Sequence, residues 1–131
     1  MTQNTIPQIR RFAEDYTAAW CSKNAASVAA FFTANGSSQD NGGPLHTGRE
    51  AITKSVQSFM SAFPDMLLSL EEVREEGSKV IYVWKLDGTH AETGRHVSII
   101  GSEAWMLSDD GLIASSVGSF DEEDYRRQAG L

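Results

Sequence analysis

Basic residues are scarce in this chain. Eleven Lys and Arg stand against eighteen Asp and Glu in 131 residues, a formal net charge of -7, and no basic run exists that could follow a phosphate backbone. Nucleic acid is therefore not an expected partner. Cysteine is scarcer still: Cys21 stands alone, which excludes an intrachain disulfide and a cysteine metal cluster. It follows Trp20 near the end of a helical pattern and reads as a small packed hydrophobe. Histidines occur only at 46, 90 and 96, without ligand spacing, so no metal site is expected. Long apolar runs are missing too. The start, MTQNTIPQIRRF, lacks the apolar core of a secretory signal, and no stretch reaches the roughly eighteen apolar residues of a membrane span. A cytoplasmic protein without membrane contact is expected. Gly42-Gly43 lacks the Lys and the following helix of a phosphate loop, no nucleophilic Ser or Cys triad is supported, and no cofactor is expected.

What is present is the ordinary mix of a globular chain, 40% hydrophobic and 22% charged residues, in one domain spanning residues 1–131. Ile9, Phe12, Tyr16, Ala19 and Trp20 recur at helical spacing, so residues 6–22 form an amphipathic helix with Tyr16 on the inward stripe. A short second helix follows, capped by Ser22 or Asn24, with Val28, Phe31 and Phe32 on its buried side. TANGSSQDNGGPLH reads as a weak strand or loop and carries Asp40. Thr47-Gly48-Arg49-Glu50 matches a capping box, opening a third helix with Ile52, Val56, Phe59, Met60 and Phe63 on its stripe, ended by Pro64 and Asp65. Then the period changes to two. Residues 66–75, 79–90, 95–107 and 112–120 read as strands of an antiparallel sheet, and Asp121 caps a short last helix. Helices first and a strand meander after give an α+β domain, helices on one face of a curved sheet.

Four polar residues fall on or near the inward side. In HVSIIGSEAWML one face carries Val97, Ile99, Gly101, Glu103, Trp105 and Leu107, so Glu103 is a carboxylate on an apolar face, costly unless paired, protonated or working. Arg95 as a partner, or an edge strand wet on both faces, would make it merely structural. His90 shares a face with Val80, Tyr82, Trp84 and Leu86 at its strand end. Tyr16 brings a phenol whose hydroxyl needs a partner, and Asp40 is either a turn former or a second acid. Together they suggest a small-molecule pocket of apolar walls with a few convergent polar groups; Trp20, Phe59, Phe63, Trp84 and Trp105 are its candidate walls.

DYTAAWCSKN, GREAI, SAFPD, GTH, DGLI and the ending FDEEDYRRQAGL, in that order, resemble a SnoaL-like polyketide cyclase domain of the NTF2-like superfamily, which includes ketosteroid isomerase. The resemblance implies a conical, bent antiparallel sheet wrapped by three N-terminal helices, and a homodimer. Compared with SnoaL-type cyclases, the histidine falls on His90 and the acid/base residue on Glu103, while Gly88 stands where those cyclases have glutamine. Compared with ketosteroid isomerase, the oxyanion-hole tyrosine falls on Tyr16, the base on Asp40, and the protonated acid on Glu103, with Glu for Asp. The resemblance implies an isomerase or cyclase moving protons on a small hydrophobic carbonyl compound, with Asp40 as base and Tyr16 and protonated Glu103 as donors, or with Glu103 and His90 as the acid/base pair. A non-catalytic binder of a hydrophobic molecule, and an epoxide hydrolase or epoxide-opening cyclase, are the alternatives.

Overall fold

Thr5 closes the first helix before it begins. Its side chain accepts from the Gln8 amide while Gln8 Oε1 accepts from the Thr5 amide at 2.8 Å, so two otherwise orphaned donors satisfy each other. The computed structural model describes residues 5–131. In chain order it has α1 (Ile6–Trp20), α2 (Ala25–Ala29), β1 (Phe32–Asp40), β2 (His46–Thr47), α3 (Arg49–Ala62), β3 (Leu67–Glu76), β4 (Lys79–Thr89), β5 (His96–Leu107), β6 (Ile113–Phe120) and α4 (Glu122–Ala129). No helix among the described residues is long and apolar enough to cross a membrane.

The six strands form one curved sheet in the order β2-β1-β6-β5-β4-β3. The meander β3 to β6 is antiparallel as expected, but β1 runs parallel to β6. Three other local expectations need correction. Phe32 belongs to β1, not to the second helix. Asn24 stands at the N-cap of α2 without a side-chain cap bond. Thr47 makes no capping box: it pairs with Ser37 as part of β2, and Gly48, at φ 90°, takes the N-cap place. A positive φ of this kind favours glycine, which lets the chain leave β2 and enter α3 within one residue.

Two apolar clusters fill the space between sheet and helices. One joins α1, α2 and α3 to the sheet through Tyr16, Phe32, Ile52, Tyr82, Trp105 and Ile113. The other gathers Phe63, Leu68, Leu86, Val97, Ile99 and Ala129. It includes α4, which the Asp121 side chain caps through the Asp124 amide and Gly130 ends at φ 76°. Gln128 fastens that helix to β5 by bonding both the amide and the carbonyl of Ser98, at 2.7 and 3.0 Å. Trp20, Met66 and Trp84 pack against both clusters.

Candidate active site

A cavity opens where the two clusters meet, lined by Tyr16, Phe32, Ile52 and Val56 of the first and Phe63, Leu68, Leu86 and Ile99 of the second. Measured as room for the centres of water molecules it holds about 70 Å³; about 10–15 Å³ of such space admits one water. Glu103 and Asp40 both line it.

Alternation along β5 turns Glu103 to the same side as Val97, Ile99 and Trp105. One oxygen, Oε1, accepts three hydrogen bonds: from the Tyr16 hydroxyl at 2.9 Å, the Trp105 indole Nε1 at 2.8 Å and the Ser116 hydroxyl at 3.0 Å. Among the described residues no donor engages Oε2 and no cation pairs with the carboxylate. Arg95 is not a partner; its side chain lies against Gly130. By area Glu103 is only part-buried, because it faces an open cavity, yet its carboxyl is well desolvated. Burial pushes its pKa up to about 6, helped by the nearby Asp40 charge, while the bonds from Trp105, Tyr16 and Ser116 hold it back. Burial thus draws Glu103 towards the protonated form, and its three donors draw it towards the ionised one.

Tyr16 projects from α1 among Phe31, Tyr82 and Trp105, all edge-on at 5.1–5.6 Å. Burial first, and then the charge of Glu103, hold its pKa well above the ordinary phenol value. It therefore stays a phenol, and its one proton goes to Glu103 rather than into the cavity. One turn on, the buried Trp20 Nε1 has no hydrogen-bond partner among the described residues.

Asp40 closes β1. In the sheet it sits beside Gly118, and Gly118 sits beside Glu103 on its other side. The two acids thus share one row on strands that flank β6, roughly 10 Å apart at the backbone by normal strand spacing. The Asp40 carboxylate occupies the space over Gly118 that a side chain would fill. Burial raises its pKa, and nearby His46 opposes the rise.

The structure thus brings Tyr16, Asp40 and Glu103 to one cavity, with Trp20, Phe59, Phe63 and Trp84 in its walls. Two expected members lie outside it. His90 is buried beyond Phe63, its ring edge-on at 5.5 Å, and its Nδ1 accepts from the Glu92 amide at 3.3 Å. It belongs to the turn that joins β4 to β5 and does not reach Glu103. Trp105 is fully buried and stacked on Tyr82 at 4.9 Å; it orients Glu103 instead of forming a wall. Sequence reading missed Ser116 and Gly118. Their signal was the alternation of IASSVGSF, which puts Ser116, Gly118 and Phe120 on one side and Ser115, Val117 and Ser119 on the other.

Residues 13–116 match the family model of the SnoaL-like domain. No curated protein matches the chain in sequence. Among solved structures, a protein of ketosteroid isomerase-like fold from Catenulispora acidiphila, in complex with trimethylamine, is 18% identical over 92% of each chain, with a TM-score of 0.83. SalBIII, an epoxide hydrolase/cyclase-like enzyme of pyran ring formation in salinomycin, is 17% identical over 88% of this chain and 92% of its own, TM-score 0.76. TsrD from Streptomyces laurentii is 18% identical over 98% of each chain, TM-score 0.84. At such identities the likeness is one of fold, and the fold carries many functions. The family match covers most of the sequence: this chain belongs to the SnoaL-like domain family.

Proposed function

We propose that this protein is a proton-transfer enzyme, an isomerase or cyclase acting on a small, largely apolar carbonyl compound, with Glu103 as the residue that moves the proton. The observation that carries this reading is a desolvated carboxylate with three donors on one oxygen and none on the other. The donors fix the plane of the carboxylate and favour its charged form, while burial makes that form basic enough to take a proton. Oε2 is the oxygen that receives the proton from carbon α to the carbonyl and returns it at the new position. Ser38, Ser55 and Tyr125 line the same cavity, and their hydroxyls are the donors available to the developing oxyanion.

A panel of small ketones in deuterium oxide tests this, with exchange at the α-carbon followed by NMR. Glu103→Gln keeps the shape and removes the base, so exchange is expected to fall by roughly 10²- to 10⁴-fold. Exchange that survives in the Gln variant overturns the assignment. A second reading, epoxide opening, draws support from Asp40 and Glu103 lying in one row across Gly118. There one acid would protonate the epoxide oxygen while the other activates the attacking hydroxyl, and both Asp40→Asn and Glu103→Gln would abolish turnover. A protein that only binds hydrophobic molecules would exchange nothing in any variant. We also propose that two copies pair through the outer face of β4, β5 and β6, where Ile100 and Val117 lie exposed.

A further inference from the structure

The cavity holds two carboxylates and no positive group. Among the described residues that line it there is no Lys, Arg or His, and neither Asp40 nor Glu103 takes part in an ion pair. The titratable groups that bear on Asp40 are Glu103, across Gly118, and His46, which pairs beside Ser38 on β2. Glu103 is already held by three donors, whereas no side chain among the described residues bonds the Asp40 carboxylate. The acid left without a partner is therefore Asp40.

Aromatic rings surround what is left. Trp84 meets Phe120 at 6.2 Å, Phe120 meets Tyr125 at 5.7 Å, and Tyr125 meets Phe63 at 6.2 Å. All four line the cavity. Phe120, in the middle of this string, lies two residues along β6 from Gly118, the sheet neighbour of Asp40, and its amide donates to Oδ1 of Asn41, the residue after Asp40, at 2.9 Å. On the other wall Trp20 and Phe59 meet at 6.3 Å. An anionic ligand would be repelled here, and a neutral one would leave both desolvated acids uncompensated. An organic cation suits both features. The ring faces attract it through their quadrupoles, its alkyl surface matches the apolar walls, and its charge balances Asp40.

We propose that the compound bound here carries a small alkylammonium group, tertiary or quaternary, seated between Asp40 and the ring string of Trp84, Phe120 and Tyr125. This rests on the cavity being the active site and names the class of its substrate: the ammonium group goes to Asp40, which leaves Glu103 for the proton. A protonated tertiary amine would donate a hydrogen bond to Asp40; a quaternary one would bind by charge and ring contact alone.

Phenyltrimethylammonium and its uncharged isostere tert-butylbenzene separate charge from shape. Their binding to the whole chain is read by quenching of tryptophan emission and by shifts of the indole N–H resonances. At about pH 8 the cation should bind at least roughly tenfold more tightly than the isostere, and the preference should shrink at a lower pH, chosen so that the chain is still folded, as Asp40 takes up a proton. Asp40→Asn should abolish the preference while tert-butylbenzene binds as before. Equal binding of the two probes at both pH values, a preference that survives Asp40→Asn, or no binding of either probe would overturn the proposal. Proton exchange on uncharged ketones, and its loss in Glu103→Gln, is measured separately, so the cation proposal can fail while the proton-transfer reading stands.

Discussion

Two opposing influences act on the Glu103 carboxyl, and removing either one moves it in a known direction. Desolvation favours the protonated form; the Tyr16, Trp105 and Ser116 bonds favour the ionised one. If Glu103 is the base, turnover should rise with pH through about 6, because only the ionised form can accept a proton. Tyr16→Phe deletes one bond to the anion and leaves the ring in place. The carboxylate then loses a stabilising donor, its pKa climbs, and the rising limb of the pH–rate profile for α-proton exchange should shift to higher pH than in the parent chain. At neutral pH the variant should be slower, and at high pH it should recover. A profile with an unmoved midpoint and a uniform loss would mean that Tyr16 acts on the substrate directly. Glu103 was legible from alternation alone, since a single acid stood on an apolar face. Its partners were not, because Ser116 and Trp105 meet it only through the pairing of β5 with β6 and the side-chain geometry within β5.

Elements were readable to the extent that their signals are local. The strands β3 to β6 follow a period of two bounded by turn residues, and their observed ends differ from the expected ones by a residue or so. β1 was readable only as a weak strand or loop: FTANGSSQD is poor in the β-branched and aromatic residues that favour strands. Its extended form is set by a parallel pairing with β6 from the far end of the sequence, and no local pattern announces a partner that distant. That pairing is also what brings Asp40 into the row of Glu103, with Gly118 between them. Gly118 has no positive φ, so an alanine would fit its backbone without strain. Its methyl group would instead meet the Asp40 carboxylate. Gly118→Ala should therefore keep the far-UV spectrum and a cooperative melt while displacing Asp40 towards the rim. For an ammonium-bearing ketone, KM for exchange should rise by roughly tenfold, with kcat little changed, the pattern of lost binding rather than lost chemistry. A fall in kcat alone would place Asp40 in the proton-transfer step.

At the scale of the whole molecule the sheet has one face committed and one left over. The inward face carries both clusters and the cavity. The outward face of β4, β5 and β6 presents Ile81, Val83, Ile100, Ala104 and Val117 among serines, in registers that set Val117 beside Ala104 and Ala104 beside Ile81. Ile100 is 60% exposed and Val117 53%. Charges flank this patch on its β3 and β4 side: Lys85, which pairs with Ile100, and Asp87 on β4, and the Glu72–Arg74–Glu76 cluster on the edge strand β3. Such an edge discourages strand-to-strand addition, whereas the apolar patch of Ile81, Val83, Ala104 and Val117 invites face-to-face contact. In a chain of net charge -7 most of the surface repels a second copy, so a neutral, self-complementary patch is where two copies can meet with two-fold symmetry. A stable pair needs roughly 800 Å² from each partner, so neighbouring elements would have to join these three strands in the contact. Sedimentation velocity should therefore report twice the chain mass for the parent protein. Val117→Lys with Ile100→Lys places four like charges at the centre of the contact and should yield monomers, without loss of the cavity on the opposite face. A parent protein that sediments as a monomer at high concentration, or a double variant that remains paired, would remove this face from the assembly.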